Sequence, residues 1–320
     1  MRVLILGAGG TGRYRTEAAV ARGFRSLGHM ARVCDVPAWR RALRGSAAHV
    51  LRWRAERFAP DFILCTRHAA PVSAALERLL ARVPSAFWYF DAVAPLPDEA
   101  VLLARRCAHT YTTYGFQLEA FHAARCREVR YLPQGMDPVV DRPAARAPAD
   151  YRCDLSFVGS GQYSRRHALL RTLAGSFGLQ IRGPGWHDGP SDLPVAGGVV
   201  RPTDFPRVVR GASLSLGIDA LPHPPDPGPR GTSNRLWRVL GAEGCFLGEY
   251  VPGVEALARH GVEALWYRSP AEAVDLAREF LAEPGRAAAI ARAGRAHVLA
   301  RHTYAHRVRM MLAGQDYIST

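Results

Sequence analysis

The sequence predicts an α/β protein made of two Rossmann-like domains that face each other across a cleft. Three observations carry that expectation. An apolar run, Val3 to Leu6, meets Gly7, Gly9, Gly10 and Gly12 and then a helix-like stretch. Past the midpoint a second apolar run, Leu155 to Val158, meets Gly159, Ser160 and Gly161 and then another helix-like stretch. Between and after them, short β-like runs alternate with helix-like runs, the pattern of a parallel sheet covered on both faces. A strand that ends in glycines and opens a helix brings backbone N–H groups and the positive end of a helix dipole to where an anion can bind.

In the first half the apolar runs predict strands over 2–6, 31–34, 62–66, 86–90, 109–112 and 129–132. Helical patterns fill 16–27, 38–58, 71–82, 97–107 and 114–124. Residues 137–150 hold three Pro and little periodicity, and read as a linker. The second half then restarts, with strands over 154–158, 179–182, 214–218, 245–248 and 264–267. Its helices are expected over 164–174, 203–211, 233–240, 254–260, 270–282 and 284–302. Ser269, Pro270 and Glu272 supply an N-cap, a proline at the first helical position and the acid of a capping box. The Pro-rich stretch 222–229 reads as a loop. The domains are expected at 1–140 and 151–300.

Composition narrows the function classes. A chain of 320 residues fits about two domains. The net charge is +14, yet every one of the 42 basic residues is Arg. They are scattered through Ala-rich helical segments rather than clustered, which disfavours a nucleic-acid partner and leaves anions such as a nucleotide diphosphate. The absence of Lys excludes Lys Schiff-base and P-loop chemistry. Six Cys are widely spaced with no C-x-x-C pair, as expected of free thiols in a reducing compartment. With no signal-peptide pattern and no long apolar span, a cytoplasmic location is expected.

Gly7-Ala8-Gly9-Gly10-Thr11-Gly12 satisfies G-x-G-x-x-G after a strand, and Asp35 closes the second strand where a ribose-binding acid would lie. An NAD-linked Rossmann enzyme is therefore the alternative reading. Against it stand the second glycine loop, the bulky basic Arg13, Tyr14 and Arg15 after Gly12, and the Leu27-Gly28-His29 that precedes the second strand, a pattern frequent in glycosyltransferase N-terminal domains. A non-enzymatic or nucleic-acid-directed protein is the third reading. In the second half Gly159, Ser160, Gly161 and Arg165 form one candidate phosphate site, since guanidinium binds phosphate oxygens bidentately. Ser233, Asn234, Arg235 and Arg238, at a helix start beside a strand end, form another. Asp91 and His68, each just past a predicted strand, are the candidate catalytic pair. Gly9, Gly10, Thr11, Arg13 and Tyr14 are expected to line the acceptor side.

The order of several runs resembles the CgeB-type spore-maturation family of glycosyltransferases with the GT-B fold. They are 155–161, Leu214-Ser215-Leu216-Gly217-Ile218, 233–248, Tyr250-Val251-Pro252-Gly253-Val254, Trp266-Tyr267, and His302-Thr303-Tyr304 with Arg307. The first half adds Trp88-Tyr89-Phe90-Asp91 and 131–137. The resemblance implies transfer of a sugar from a nucleotide-sugar donor, held by the C-terminal domain, to an acceptor held by the N-terminal one. That acceptor could be a small molecule, a glycan or a protein. It implies a last helix, within 301–320, that crosses back to the first domain, and no cofactor or metal; no D-x-D pair sits in a suitable loop. It also marks a departure: relatives often carry a ribose-binding Glu where this chain has Arg238, so either another acid such as Glu243 or Glu255 takes that role or the nucleotide is bound differently.

Overall fold

The computed structural model describes residues 1–9, 16–43, 46–187, 191–220 and 231–317. The chain divides into two compact units, Met1–Gln134 with Tyr304–Thr320, and Gly135–Thr303. No helix among the described residues is long and apolar enough to cross a membrane.

The first unit is built on strands β1 (Arg2–Gly7), β2 (Met30–Asp35), β3 (Phe62–Cys65), β4 (Ser85–Tyr89), β5 (His109–Thr112) and β6 (Val129–Tyr131). They form one sheet in the order β2-β1-β3-β4-β5-β6, parallel throughout. β1, β3 and β4 are buried on both faces except for Arg2, which is why they read as continuous apolar runs rather than alternating ones. Around them lie α1 (Thr16–Ser26), α2 (Val36–Leu43), α3 (Ala47–Phe58), α4 (Ala74–Leu80), α5 (Asp98–Arg106) and α6 (Leu118–Ala123). The stretch expected as one helix over 38–58 contains α2 and α3, and residues 44 and 45 lie outside the described residues.

The second unit has β7 (Cys153–Val158), β8 (Leu179–Arg182), β9 (Val195–Gly197), β10 (Ala212–Gly217), β11 (Phe246–Glu249) and β12 (Leu265–Tyr267). Their order is β12-β11-β10-β7-β8-β9, again parallel. Its helices are α7 (Arg165–Ala174), α8 (Phe205–Gly211), α9 (Arg235–Gly241), α10 (Pro270–Ala282) and α11 (Pro284–Arg301). The short edge strand β9, only three residues long and with no buried side chain, was not expected. The helix expected over 254–260 is only a 3-10 turn, Val254–Ala256. Beyond that turn side chains claim the backbone: Arg259 N–H donates to Glu263 Oε2 at 2.8 Å, and Trp266 N–H donates to His260 Nδ1 at 3.0 Å. The linker expected over 137–150 is not loose at its start. Asp137 and Asp141 are buried, and Asp141 accepts from Arg238 Nε at 3.1 Å.

The last helix, α12 (Tyr304–Leu312), belongs to the first unit and packs on α1. A Cβ on Gly23 would stand 2.8 Å from the Tyr304 carbonyl carbon, so the two helices meet backbone to backbone. Arg307 is wholly buried; its Nε donates to the Pro133 and Gln134 carbonyls at 2.9 and 3.1 Å. Burial lowers its pKa to about 10, still leaving it charged at neutral pH.

Candidate functional site

In an open parallel sheet, ligands bind outside the carboxyl ends of the strands where the winding reverses. In the second sheet the chain leaves β7 toward β8 and β9 on one side, then resumes on the other with β10, β11 and β12. The reversal therefore lies between β7 and β10. Arg235, the first residue of α9, sits there. Its Nε donates to Val158 O at 2.8 Å, at the end of β7. Its Nη1 lies 3.4 Å from Ile218 O, just past β10, and 3.5 Å from Ser233 Oγ. The guanidinium lies 4.9 Å from the centre of the Phe157 ring. Gly159 makes room for it, since a Cβ there would come within 2.8 Å of Arg235 Nη2 and 2.7 Å of Phe157 Cζ.

The glycine loop is held by its neighbours rather than left open. Gly159 N–H donates to Arg182 O and Gly161 N–H to Pro184 O, both at 2.9 Å. Gly159 O accepts from Trp186 Nε1 at 2.8 Å, Ser160 O from Arg166 Nη1 at 2.8 Å, and Gly161 O takes the His167 ring at 2.9 Å. These two amides, expected to face a diphosphate, both donate within the fold. Ser160 Oγ is 3.4 Å from Gln162 N–H.

Arg165 makes a bidentate ion pair with Glu249, through Nη1 to Oε2 at 2.8 Å and Nη2 to Oε1. The pairing raises the Arg165 pKa, chiefly through the Glu249 hydrogen bonds. Glu249 ends β11, in register with Tyr267 at the end of β12. The Tyr267 hydroxyl donates to Gly217 O at 3.0 Å, and burial, then Glu249 and Asp219, push its pKa up. Asp219, buried just past β10, is close enough to act on both Tyr267 and Arg165. The carboxyl edge of this sheet thus gathers Arg165, Arg235, Asp219, Glu249 and Tyr267: two guanidiniums suited to phosphate oxygens and two carboxylates suited to hydroxyls. Glu249, Asp219 and Tyr267 escaped sequence reasoning, although an acid closing the run Phe246-Leu247-Gly248 is the signal that could have found Glu249.

Arg238 lies elsewhere on α9. It pairs with buried Asp141 and stacks 3.9 Å from the Phe205 ring centre. Burial raises the Asp141 pKa while Arg238 opposes the rise. Arg238 therefore anchors the entry segment of the unit, and nothing in its contacts places it on a nucleotide. Glu255 is half-exposed, 3.9 Å from Arg268, which stacks on Tyr250. Ser233 stands beside Arg235. Asn234 precedes α9 and makes no capping hydrogen bond with its side chain. Glu243 lies 3.6 Å from Arg295 Nε.

In the first sheet the winding reverses between β1 and β3. Glu17, buried in the first turn of α1, accepts from Ala8 N–H at 3.0 Å and from Thr66 Oγ1 at 2.9 Å, tying the two strand ends together. Past β3 come Arg67 and His68; past β4 comes Asp91. Asp91 Oδ2 lies 2.9 Å from Arg67 Nε. Burial raises the Asp91 pKa, the Arg67 and His68 charges oppose the rise, and Glu17 adds to it. The structure therefore brings Asp91 and His68 into one charged cluster, with Arg67 and Glu17 as members the sequence did not reveal. Gly9 lies in the turn after β1, packed on Asp35. Gly10, Thr11, Arg13 and Tyr14 lie outside the described residues, as does the stretch 222–229. Asp35, the ribose acid of the NAD-linked reading, accepts from Ala38 N–H at 3.0 Å in the first turn of α2.

Residues 165–313 match the family described as glycosyl transferase-like. Among curated proteins none matches the sequence. Solved structures are similar over nearly the whole chain. HepE of Anabaena, solved in complex with UDP and glucose, has a TM-score of 0.69 at 14% identity, covering 98% of this chain and 99% of that one. Sucrose-phosphate synthase of Thermosynechococcus elongatus has a TM-score of 0.66 at 12% identity, covering 98% of each chain. The E. coli trehalose-6-phosphate structure bound with UDP-2-fluoro glucose gives 0.64 at 10%, again over 98% of each. Two parallel six-stranded sheets in α/β units, with these neighbours, make the fold GT-B.

Proposed function

We propose that the protein is a nucleotide-sugar-dependent glycosyltransferase whose second unit holds the donor and whose first unit holds the acceptor. The observation that carries this reading is Arg235, fixed across the winding reversal of the second sheet by Val158 O and Ile218 O. A guanidinium so held meets the charge that develops on a leaving diphosphate at little reorganisation cost. The acids Asp219 and Glu249 on the same edge are the groups for ribose or sugar hydroxyls. UDP-sugars are the first donors to try, because the HepE and trehalose-6-phosphate structures hold UDP compounds. The motif order supports a CgeB-type enzyme within this fold. All six thiols are unpaired and five are buried, which supports a reducing, cytoplasmic location.

In the reaction the acceptor hydroxyl oxygen bonds to the anomeric carbon, the bond from that carbon to the diphosphate breaks, and the electron pair leaves on the diphosphate. Arg235 takes up the resulting charge, and no metal is assigned to the step. Asp91 aims the acceptor hydroxyl and, in an inverting reaction, receives its proton; His68 and Arg67 keep it in place.

A thermal-shift series over UDP-, GDP-, dTDP- and CMP-sugars and NAD tests the reading. A nucleotide at 100 times its dissociation constant adds about 2.7 kcal/mol. One nucleotide family is expected to stabilise the protein, and Arg235→Ala to lower turnover about 10²–10³-fold with little change in melting temperature. Stabilisation by NAD alone, or normal turnover in Arg235→Ala, would overturn it.

A further inference from the structure

At the opposite, amino-terminal edge of the second sheet two neighbouring cavities meet at Arg210. One, of about 240 Å³, lies against the starts of β10 and β11 and is walled by α8, α10 and α11, with Arg210 and Arg292 among its lining. The other, of about 430 Å³, is lined by Arg146, Arg152 and Arg210 between small residues. Among the described residues these four arginines make no ion pair, side-chain hydrogen bond or ring contact. Elsewhere in this unit Arg165, Arg171, Arg259 and Arg286 all hold acids. The one acid lining either cavity, Glu243, is drawn off by Arg295 at 3.6 Å. Exposed guanidiniums that share the lining of adjoining cavities repel one another weakly, and that cost falls when an anion joins them.

We propose that this cluster is a second anion site, taking a phosphate-bearing ligand through the guanidiniums of Arg146, Arg152 and Arg210. Guanidinium is the side chain best matched to phosphate oxygens. The site is separate from the donor edge by the length of β10, about 20 Å for its six residues, so its occupant is not the leaving diphosphate. Both a soluble phosphate compound and a phospholipid headgroup present this chemistry. The inference does not depend on the transferase reading.

The test uses the full chain carrying Arg235→Ala, which weakens the donor edge. Titration calorimetry with inorganic pyrophosphate compares this background, the cluster variant Arg152→Gln with Arg210→Gln, and the control Arg82→Gln with Arg127→Gln, which removes the same charge from exposed sites in the first unit. Sedimentation with phosphatidylglycerol and phosphatidylcholine vesicles runs in parallel on the same proteins. The cluster variant is expected to bind at least about 10-fold more weakly, and the control to change less than about twofold. Loss in the pyrophosphate arm identifies a soluble ligand; loss only with phosphatidylglycerol identifies a headgroup. Equal loss in cluster and control variants, or no binding in either arm, overturns the proposal.

Discussion

Asp91 shows what one residue gains from its strand end. Its carboxyl is lifted above its ordinary 3.8 by burial, against the pull of Arg67 and His68. In the proposed role of acceptor-side base it works only when deprotonated. The kcat/KM profile is therefore expected to fall as pH drops through a value above 3.8, and Asp91→Asn to remove that acid limb together with transfer while donor affinity stays unchanged. An unaltered pH profile in the variant would exclude the role. Because the folded group binds its proton more readily than the unfolded one, the native state loses stability from this residue as pH rises through the same window. At this scale the sequence was uneven. Strand-end positions marked Asp91, His68 and Arg235, because the strands themselves were plain. It did not mark Glu249 as the partner of Arg165, since 84 residues separate them and only the fold joins β11 to α7. The glycines of the loop after β7 announce close backbone approach, and one such approach is that of Gly161 to Gly185 and Trp186.

Among the elements, strands were the most legible. Eleven of the twelve were expected within one or two residues, because a doubly covered parallel strand must be a run of apolar residues. β9 was missed for the complementary reason: three residues, no buried side chain. Helix ends were harder, as the 3-10 turn Val254–Ala256 shows in place of a helix over 254–260, since periodicity alone does not mark a stop. The pairing of α1 with α12 rests on Gly23. Gly23→Val is expected to force the helices apart and cost about 1–3 kcal/mol in chemical denaturation. Gly285→Ala, where nothing lies within 4 Å of the added atom, is expected to be neutral or stabilising by up to about 1 kcal/mol. Equal effects of the two would mean that α1 and α12 do not meet so closely.

For the molecule as a whole, many arginines pair locally, as Arg171 does with Asp192 and Arg286 with Glu279 and Glu283, and the +14 net charge is the surplus that 28 acids leave against 42 arginines. The fold class was legible from two strand-and-glycine starts. The boundary was not, because the segment after Gln134 is polar and Pro-rich yet seats Asp137 and Asp141 in the second unit. The first unit is also incomplete without the chain's end: Tyr111 Oη donates to Met311 O at 3.1 Å, and Tyr304 meets Trp88 edge-on at 6.3 Å. A fragment of residues 1–134 is expected to expose that apolar face and bind a hydrophobic dye, and a fragment with 304–320 fused after residue 134 to melt cooperatively. Cooperative melting of the shorter fragment would show that the closing helix is dispensable.

Because both termini lie in the first unit, residues 135–303 are, in topological terms, a guest inserted into a host. Entry and exit run side by side: Met136 N–H donates to His302 O at 2.7 Å, and Met136 bridges to Thr303. The guest can thus be excised and exchanged as a cassette through two adjacent splice points. Under the proposed division of donor and acceptor between the units, chimaeras that trade this cassette between relatives are expected to keep the host's substrate while importing a new sugar nucleotide.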